Sequence, residues 1–390
     1  MTGGTRSYEM AKRLVRDGHS VEMITTDRDR DSGGKQWRVT NEDGITVHWL
    51  SVPYSQNMHA TQRIRAFLVF AVRSTFKACS LRVDLVFATS TPLTIAIPAM
   101  IAKTFQRVPF VFEIRDIWPK AAIAVGMLKN PLAIAIAKWL EKLAYKKADK
   151  IIVLAPYFSE EINRLGISER KQVLIPNACD IDFFNSSIES ANNFRNSYEW
   201  LGDRPMLLFA GSMGRLNNLE YVVQLAKYTI KIDPEIRFLL VGSGSEEMSI
   251  RELAKETEVY EKNLFMLPPV KKLDLPPILK AATVCSAFSI DKRELWLDTC
   301  NKIFDAWAAE RPTVVNYGGY QTEIALESGA GLRLAPVVDS SVAQILVNHM
   351  RDADWLGHAS TAARSLANER FSRESLYQKL HTTLSEFDND

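Results

Sequence analysis

Apolar and polar positions follow two patterns along the chain: short apolar runs of strand length, and longer stretches with helical spacing. In the first half of the chain the apolar runs lie at 20–25, 44–52, 83–88, 109–113, 150–154 and 173–176. In the second half they lie at 205–210, 236–241, 264–267, 283–287, 312–316 and 331–334. Helical spacing fills most of the intervals, for example 92–105, 128–148 and 219–231. This β-α alternation predicts an α/β protein with two doubly wound parallel sheets.

The segment 188–204 interrupts the alternation because it is rich in Ser, Asn and Arg and has little apolar periodicity. We interpret it as a linker between a Rossmann-like domain at 1–187 and a second one at 205–370. The last segment, 371–390, is expected to be a helix that packs back towards the N-terminal domain. Two such sheets would face each other across a cleft, which suits a reaction with two substrates.

The chain opens on a Gly-Gly turn that leads directly into a helix ending at Asp17-Gly18. Such a turn normally follows a strand in a doubly wound sheet, and no strand precedes Gly3. We therefore expect a first strand and its loop, about fifteen residues, to be missing before this point. The polar, Gly-rich segment 27–41 is expected to be a mobile loop.

Composition and charge exclude several classes of protein. The 390 residues are 46% hydrophobic and 24% charged, which is ordinary for a globular chain. A net charge of +2 gives no general attraction to nucleic acid. The four cysteines form no CxxC or Cys/His pattern, which indicates reduced thiols in a cytoplasmic protein. No apolar run reaches the roughly 18 residues of a spanning helix.

The segment 58–82 has the pattern of a basic amphipathic helix. Apolar residues recur at helical spacing, five Lys and Arg residues lie among them, and no acid occurs from His59 to Val83. Such a helix can dock on an anionic membrane surface. The alternative is a core helix with a solvated basic face.

The stretch 294–331 combines a polar loop, a helix, a buried strand and a Gly-Gly turn. The residues with candidate chemistry are Glu294, Asp298, Lys302, Asp305, Gly318 and Gly319. Lys302 and Asp305 share one helix face because they are three residues apart. Carboxylates beside a cation and a turn with accessible backbone N–H groups suit a sugar nucleotide. An ordinary helix with solvated charges would show the same residues.

In the first half of the chain, charged residues follow the run at 109–113. Glu113, Arg115 and Asp116 lie at the carboxyl end of this predicted strand, where α/β folds place ligands. We select Asp116 as a polar group of the reacting centre, with Glu113 and Arg115 as alternates. A structural ion-pair cluster is the competing interpretation.

Several longer stretches, in this order and spacing, resemble the family 4 glycosyltransferases of GT-B fold over almost the whole chain. The stretches that carry the resemblance are GGTRSYEMAKRLVRDGHSVEMIT, VFATSTPLTIAIPAMIAK, PFVFEIRDIWP, ADKIIVLAP, VLIPNACDIDFF, LLFAGSMGRLNNLEYVVQLA, FLLVGSGSE, NLFMLPPV and NKIFDAWAAERPTVVNYGG. They are most similar to the WbuB-type amino-sugar transferases of bacterial surface polysaccharide assembly.

The resemblance implies retaining, metal-independent transfer of a sugar from a nucleotide diphosphate donor, with UDP as the commonest nucleotide. It implies no cofactor, and an acceptor that is a lipid-linked glycan at the inner membrane surface. The N-terminal domain would be on the acceptor side. The protein would be cytoplasmic or peripheral on that membrane face, with no nucleic-acid partner.

The resemblance also assigns roles in the second domain. Asp305 would bind the ribose hydroxyls, while Lys302 and Arg215 would neutralise the diphosphate as it leaves. In the family, another acid lies eight positions before the one that corresponds to Asp305. The residue at that position here is Leu297, which is not an acid. Glu294 or Asp298 must then supply this group, and we favour Glu294.

The remaining donor-binding candidates lie in turns at strand ends. Gly4 and Gly211 would allow the diphosphate to approach the backbone, and Gly318 and Gly319 would do the same for the sugar or phosphate. Asn217 and Asn218 lie where the family often has a Lys, while Leu267 and Pro268 would flank the uracil. Plain turns and core packing are the alternatives at these positions.

Three functions remain open at this point. The first is a sugar transferase, and the second is a UDP-sugar 2-epimerase of the same fold. The third is a non-catalytic scaffold that binds nucleotide sugars, which the altered acid pair and the unusual N-terminus leave possible.

Overall fold

The computed structural model describes residues 6–27, 37–52, 58, 60–124, 126, 128–296 and 299–388. It contains two compact units. The first comprises Gly3–Pro176 and Tyr377–Asp390, and the second comprises Asn177–Leu376. Each unit is an α/β structure in which helices cover parallel strands.

The strands of the first unit are short, and most are at least half-buried. They are β1 Glu22–Asp27, β2 Trp37–Glu42, β3 Ile45–Ser51, β4 Val86–Thr89, β5 Phe110–Ile114, β6 Lys150–Val153 and β7 Gln172–Leu174. The strands of the second unit are β8 Met206–Ala210, β9 Arg237–Val241, β10 Leu264–Leu267, β11 Val284–Ala287, β12 Thr313–Val315 and β13 Gly331–Arg333.

Helices connect most of these strands. In the first unit they are α1 Arg6–Arg16, α2 Ala60–Ser80, α3 Ala96–Gln106, α4 Lys120–Ala124, α5 Pro131–Lys147 and α6 Pro156–Arg164. The following helices are α7 Ile181–Phe184, α8 Ile188–Asn196, α9 Leu219–Ile232, α10 Glu247–Glu256, α11 Leu275–Ala281, α12 Asn301–Ala308, α13 Tyr320–Glu327, α14 Ser340–Arg351, α15 Ala353–Ser365 and α16 Arg373–Ser385. In the described ranges, none of these helices meets the length and hydropathy that a membrane crossing requires.

The second unit has one six-stranded parallel sheet with the order β10-β9-β8-β11-β12-β13. Successive side chains of a strand point to opposite faces, so each strand contributes to two cores. Leu208 and Leu239 belong to the core on one face. Leu207 and Phe238 belong to the core on the other. Burial on both faces explains why these strands are almost continuously apolar.

The first unit has two sheets. One is three-stranded with the order β1-β3-β2, and the other is four-stranded and parallel with the order β4-β5-β6-β7. β1 and β4 are edge strands of their respective sheets. The expectation of a missing first strand concerns the start of the chain, and the residues before Arg6 lie outside the described ranges.

The polar segment 27–41, expected to be a loop, contains most of β2. This strand pairs antiparallel with β3. Trp49 donates its indole N–H to Thr40 Oγ1 at 2.8 Å, and the Arg38 guanidinium lies 5.0 Å from the Trp49 ring centroid. Cross-strand contacts of this kind stabilise a short strand whose second half, residues 40–42, is entirely polar.

The segment 188–204, interpreted as a linker, is folded within the second unit and begins with α8. Ser187 caps this helix by accepting a hydrogen bond from the Ser190 N–H at 3.1 Å. Ala191 and Leu201 are buried in the core of the unit. The Arg195 guanidinium donates to the carbonyls of Ala281, Gly202 and Arg204. The boundary between the units therefore falls at 176/177, and polar side chains that bond to backbone carbonyls conceal it in the sequence.

The end of α16 belongs to the first unit. The Tyr377 hydroxyl donates to Asp17 Oδ2 at 2.7 Å and contacts the Arg13 carbonyl at 3.1 Å. Directly after the helix, Glu386 pairs with Lys150 at 2.7 Å. These contacts join the terminal helix to α1 and β6.

A buried ion pair lies at the carboxyl end of β5. The Arg6 guanidinium Nε is 2.6 Å from Glu113 Oε2, and the two side chains are only 4% and 2% exposed. Arg6 also donates to the carbonyls of Ile175 and Pro176. Thr89 donates to the second Glu113 oxygen at 2.8 Å. The pair thus joins the start of α1 to three strands of the four-stranded sheet.

Glu113→Gln is expected to lower the free energy of unfolding by about 3–5 kcal/mol, because it leaves the buried Arg6 charge without its counter-ion. The matched control is Glu235→Gln, which breaks the exposed pair with Arg204 at 2.8 Å and should cost less than about 1 kcal/mol. Denaturant titrations of both variants measure the difference. Equal losses would contradict a structural role for the buried pair.

Candidate functional site

The strand order of the second unit has one reversal point. From β8 the chain proceeds to β9 and β10 on one side, and β11 then pairs with the other side of β8. Loops that leave such a point in opposite directions open a crevice at the carboxyl ends of the strands. The loops concerned begin at Gly211, after β8, and at Phe288, after β11.

Two glycines form the floor of this crevice. Gly211 has φ +154° and Gly242, which follows β9, has φ +145°. A Cβ atom at Gly242 would lie 2.0 Å from the Gly211 carbonyl oxygen, so any side chain there would displace the loop. The Gly211 N–H in turn donates to the Val241 carbonyl at 2.9 Å. The absence of both side chains keeps the backbone accessible at the end of β8.

Lys302, the second residue of α12, reaches over Gly211. A Cβ atom at Gly211 would lie 2.4 Å from Lys302 Cε. The ammonium donates to Asn217 Oδ1 at 3.2 Å and lies 5.1 Å from the Phe209 ring centroid. No carboxylate of the described side chains forms an ion pair with it at 4.0 Å or less. A cation at the positive end of a helix attracts an anion, so this arrangement favours a phosphate ligand.

Asp305 lies one turn further along α12, on a half-buried face. Burial raises the pKa of Asp305 to about 7, against the opposing effect of Lys272 and Arg373. Asp180 also raises this pKa, whereas Lys302 lowers it. The carboxyl group is therefore poised to change charge near neutral pH.

Gly318 and Gly319 lie against the loop that precedes α12. Gly319 has φ +102°, and a Cβ atom there would lie 2.1 Å from the Trp296 carbonyl oxygen. A Cβ atom at Gly318 would lie 3.4 Å from the Trp296 ring and 3.8 Å from Arg333 Nη1. The two glycines thus make room for Trp296, whose buried indole nitrogen has no hydrogen-bond partner among the described residues.

Three polar side chains fix these loops, and the sequence had singled out only Asn217 among them. Gln321 is 3% exposed, and its amide bonds both to the Cys300 N–H at 2.5 Å and to the Cys300 carbonyl at 3.0 Å. Asn316 makes the equivalent pair of bonds to the backbone of Ser289. Asn217 holds Lys302, as described above. Asn316 directly follows β12 and Gln321 lies two residues after Gly319, and these positions are the only signal that the sequence gives for the two.

Asn218 bonds to a different loop from Asn217. It has φ +46° at the start of α9, and its side chain donates to the Ser289 carbonyl at 3.2 Å. The left-handed backbone turns Asn218 towards the loop after β11, and Asn217 contacts Lys302 instead. Arg215 begins the 3-10 helix Arg215–Asn217, and its side chain is exposed near the same loop.

Leu267 is the last residue of β10, and its carbonyl accepts the Gly242 N–H at 3.1 Å. Pro268 follows it and is exposed. Both are therefore at the same edge of the sheet as Gly211. Glu294 is in the 3-10 helix Arg293–Leu295 after β11, and its side chain lies outside the description. Asp298 and Gly4 lie outside the described residues altogether.

The candidates of the first unit differ in accessibility. Glu113 is 1% exposed and has both oxygens engaged by Arg6 and Thr89. It is therefore a core ion-pair partner, in contrast to its expected role at a reacting centre. Asp116 is half-buried and accepts a hydrogen bond from the Thr91 hydroxyl at 2.5 Å. Arg115 donates its backbone N–H to Ser90 Oγ at 2.9 Å.

Both halves of the chain match models of known protein families. A model of the glycosyl transferase 4-like domain matches residues 2–178. A model of the glycosyl transferases group 1 matches residues 204–352. Together the two models match most of the chain.

One relative and two solved structures illustrate the similarity. The alpha-D-kanosaminyltransferase of Streptomyces kanamyceticus is 26% identical over 120 residues, which cover 30% of this chain and only 31% of that protein. The sucrose-phosphate synthase of Thermosynechococcus elongatus aligns with a TM-score of 0.76 at 15% identity, over 99% of this chain and 94% of its own. Anabaena HepE in complex with UDP aligns with a TM-score of 0.74 at 17% identity, over 99% and 97%.

These structural neighbours establish the fold, two Rossmann-like domains of the GT-B type, and the two matching models establish the family. The protein belongs to the family 4 and group 1 glycosyltransferases of GT-B fold.

Proposed function

We propose that the protein transfers a sugar, with retention of configuration, from a UDP-sugar to a lipid-linked glycan during assembly of a bacterial surface polysaccharide. The observation that carries the proposal is the Lys302 ammonium held over Gly211 at the carboxyl end of β8. The transferred sugar is an N-acetylated amino or deoxyamino sugar. The reaction takes place at the inner face of the cytoplasmic membrane, with no metal ion or other cofactor.

The diphosphate binds at Gly211. Its oxygens accept hydrogen bonds from the Lys302 ammonium and from the Arg215 guanidinium, which is free to swing in from its exposed position. Negative charge develops on the diphosphate as the bond to the sugar breaks, so these fixed positive charges stabilise the transition state more than the bound donor. Binding of the diphosphate also displaces the weak Lys302 contact to Asn217.

The uridine binds beside the diphosphate. The ribose hydroxyls donate to the two oxygens of Asp305, which can accept from both at once when ionised. The uracil lies against Leu267 and Pro268 at the end of β10. Gly242 is required in this arrangement because it connects the Leu267 carbonyl to the turn below the phosphates.

The loops that converge on Gly318 and Gly319 recognise the sugar. Gln321 fixes Cys300, and therefore the start of α12, to the start of α13. The Trp296 indole N–H lacks a protein partner among the described residues and is a donor for a sugar oxygen. Glu294 lies two residues away and is the acid we assign to the sugar hydroxyls.

The chemical step balances without a dedicated base. The acceptor hydroxyl oxygen forms the new bond to the anomeric carbon, while the bond from that carbon to the phosphate oxygen breaks. The hydroxyl proton passes to the departing phosphate. Asp116, which is half-buried and already accepts from Thr91, is the polar group that we assign to the acceptor side.

The comparisons support the donor more strongly than the acceptor. A structural neighbour was solved with UDP and also with UDP-glucose, and the matching curated relative transfers a kanosaminyl group. These facts favour UDP and an amino sugar. The lipid-linked acceptor follows from the sequence resemblance and from the exposed surface considered below.

Lys302→Met is expected to weaken UDP binding about thirtyfold, because a charge-assisted hydrogen bond to a phosphate contributes about 2 kcal/mol. Methionine keeps an unbranched side chain over Gly211 while removing the charge. The matched control is Lys231→Met on the exposed end of α9, which should bind like the unaltered protein. Titration calorimetry measures both. An unchanged affinity in Lys302→Met would remove this residue from the diphosphate site.

UDP affinity is expected to rise as the pH increases through about 7, the pKa to which burial raises Asp305. Ribose hydroxyls donate to an ionised carboxylate, so binding requires loss of the Asp305 proton. The unliganded protein has the opposite preference: a raised carboxyl pKa stabilises the fold at low pH and loses this contribution as the pH rises through the folded pKa.

The control for this pH effect is Asp305→Asn, which retains only the titration of UDP itself. Calorimetry one pH unit below and one unit above the Asp305 pKa gives both slopes. Equal slopes in the variant and the unaltered protein would contradict a contact between Asp305 and the ribose.

The function itself is tested in two stages. A thermal-shift screen of UDP-, GDP- and dTDP-sugars identifies the donor, because a ligand raises apparent stability according to its affinity. The stabilising sugar nucleotide is then incubated, in labelled form, with a bacterial lipid extract, and label is expected in the lipid phase. An epimer formed from UDP-N-acetylglucosamine without acceptor would indicate the 2-epimerase instead. UDP binding without turnover of any donor would indicate a scaffold.

A further inference from the structure

Three helices of the first unit lie side by side, and within the described part of the chain their outer surfaces are exposed. α3 contacts both α2 and α5. Of the 19 large apolar side chains that are exposed in the described part of the chain, 10 lie on these three helices. The most exposed on each are Phe76 at 75%, Phe105 at 72% and Leu132 at 70%. Such a concentration is unusual for a surface that faces only water.

The exposed apolar residues form stripes along the helices. On α2, Ile64, Leu68, Val72 and Phe76 recur every four residues. On α3, Ile101 and Phe105 are one turn apart, and on α5 the stripe consists of Leu132, Ile136 and Trp139. Residues at these spacings share one face of a helix. We call these nine residues together the outer face.

Shallow grooves separate the stripes. One groove, of about 460 Å³, lies between α3 and α5 and is lined by Met100, Ile101, Thr104, Phe105, Leu143 and Lys147. A second, of about 490 Å³, lies beside Phe105 at the end of α2. Phe105 therefore projects between two depressions, and no described residue covers it.

Positive charge accompanies the apolar stripes. On α5, Lys138, Lys142 and Lys146 recur every four residues beside the apolar stripe, and all three are exposed. On α2, Arg73 and Lys77 are four residues apart and Arg65 lies eight residues before Arg73, and each directly follows an apolar residue of the outer face, Ile64, Val72 or Phe76. The only acid in the three helices is Glu141, which is buried and bonded to the Tyr145 hydroxyl at 3.2 Å. The surface is thus apolar and basic, with no exposed acid on its helices.

We propose that the outer face docks on a lipid bilayer with anionic headgroups. The apolar stripes enter the boundary between headgroups and acyl chains, while the lysines and arginines beside them contact the phosphates. Phe76, Phe105 and Trp139 are aromatic side chains of the kind that anchor proteins at this depth.

The charge of the outer face favours a bilayer over a second copy of the chain as its partner. A symmetric dimer through the outer face would bring the basic stripes of the two copies together, with no exposed acid on these helices to pair with them. An anionic membrane supplies the opposite charge over the whole area. The docking proposal rests on the proposed function only to explain why the protein would be at a membrane, because its structural evidence comes from α2, α3 and α5 alone.

Flotation with vesicles tests the proposal on the full chain. Vesicles of phosphatidylcholine alone are compared with vesicles of equal parts phosphatidylcholine and phosphatidylglycerol. The protein is expected to float with the anionic vesicles and to be released by salt, because screening weakens the contribution of the basic residues. Equal flotation with both vesicle types, or with neither, would overturn the proposal.

Two variants locate the contact. The double variant Lys138→Glu/Lys142→Glu is expected to weaken binding to anionic vesicles at least about 25-fold, at about fivefold for each lysine removed. The triple variant Phe76→Ser/Phe105→Ser/Trp139→Ser should lose flotation. The matched controls in the second unit are Lys231→Glu/Lys255→Glu and Met248→Ser/Leu273→Ser, whose residues are equally exposed. The controls should float like the unaltered protein.

Two further measurements make the outcomes distinct. Thermal stabilisation by UDP, recorded for every variant, shows whether the second unit is folded and binds its ligand. Stabilisation by UDP without flotation would overturn the docking and leave the proposed function standing. Flotation without stabilisation by any nucleotide would overturn the proposed function and leave the docking standing. A change in mass by light scattering for the triple variant would show that the outer face joins protein chains, and would overturn the bilayer as its partner.

Discussion

The candidate site depends on one close contact between two turns of backbone. Gly211 and Gly242 follow neighbouring strands, and a Cβ atom at Gly242 would lie 2.0 Å from the Gly211 carbonyl oxygen. A side chain at Gly242 would force the two turns apart. The absence of a side chain at Gly211 leaves an opening at the end of β8, where a Cβ atom would lie 2.4 Å from Lys302 Cε. Lys302 occupies that opening, so the position of its charge follows from the absence of side chains beneath it.

The sequence predicted the sheets well and the loops less well, for physical reasons. Strands buried on both faces must be almost continuously apolar, so β8 and β9 can be recognised from the sequence alone. Lys302 and Asp305 were also accessible, because a helix places residues three apart on one face. Which of Asn217 and Asn218 contacts Lys302 could not be predicted, because it depends on the left-handed backbone of Asn218. The helix α8 was hidden because Arg195 and Ser187 satisfy backbone groups with polar side chains.

Charged residues at strand ends divide into two kinds, which the sequence cannot separate. Glu113 has a buried partner in Arg6, and this pair joins α1 to the sheet. Lys302 has no carboxylate partner among the described side chains, and its charge is available to a ligand. Glu113 lies at the carboxyl end of β5, whereas Lys302 lies on α12 and reaches over the carboxyl end of β8, so the rule that charges at this end of a parallel strand mark a site does not separate the two. Only the side chains opposite them show which charge is structural and which is functional.

The most direct test of the central claim is a crystal structure of the protein grown with UDP. The account predicts diphosphate oxygens within about 3 Å of Lys302 Nζ above Gly211, with the ribose hydroxyls on the Asp305 carboxylate. It also predicts that Lys302 leaves Asn217 to make this contact. UDP bound away from Gly211, with Lys302 still donating to Asn217, would contradict it.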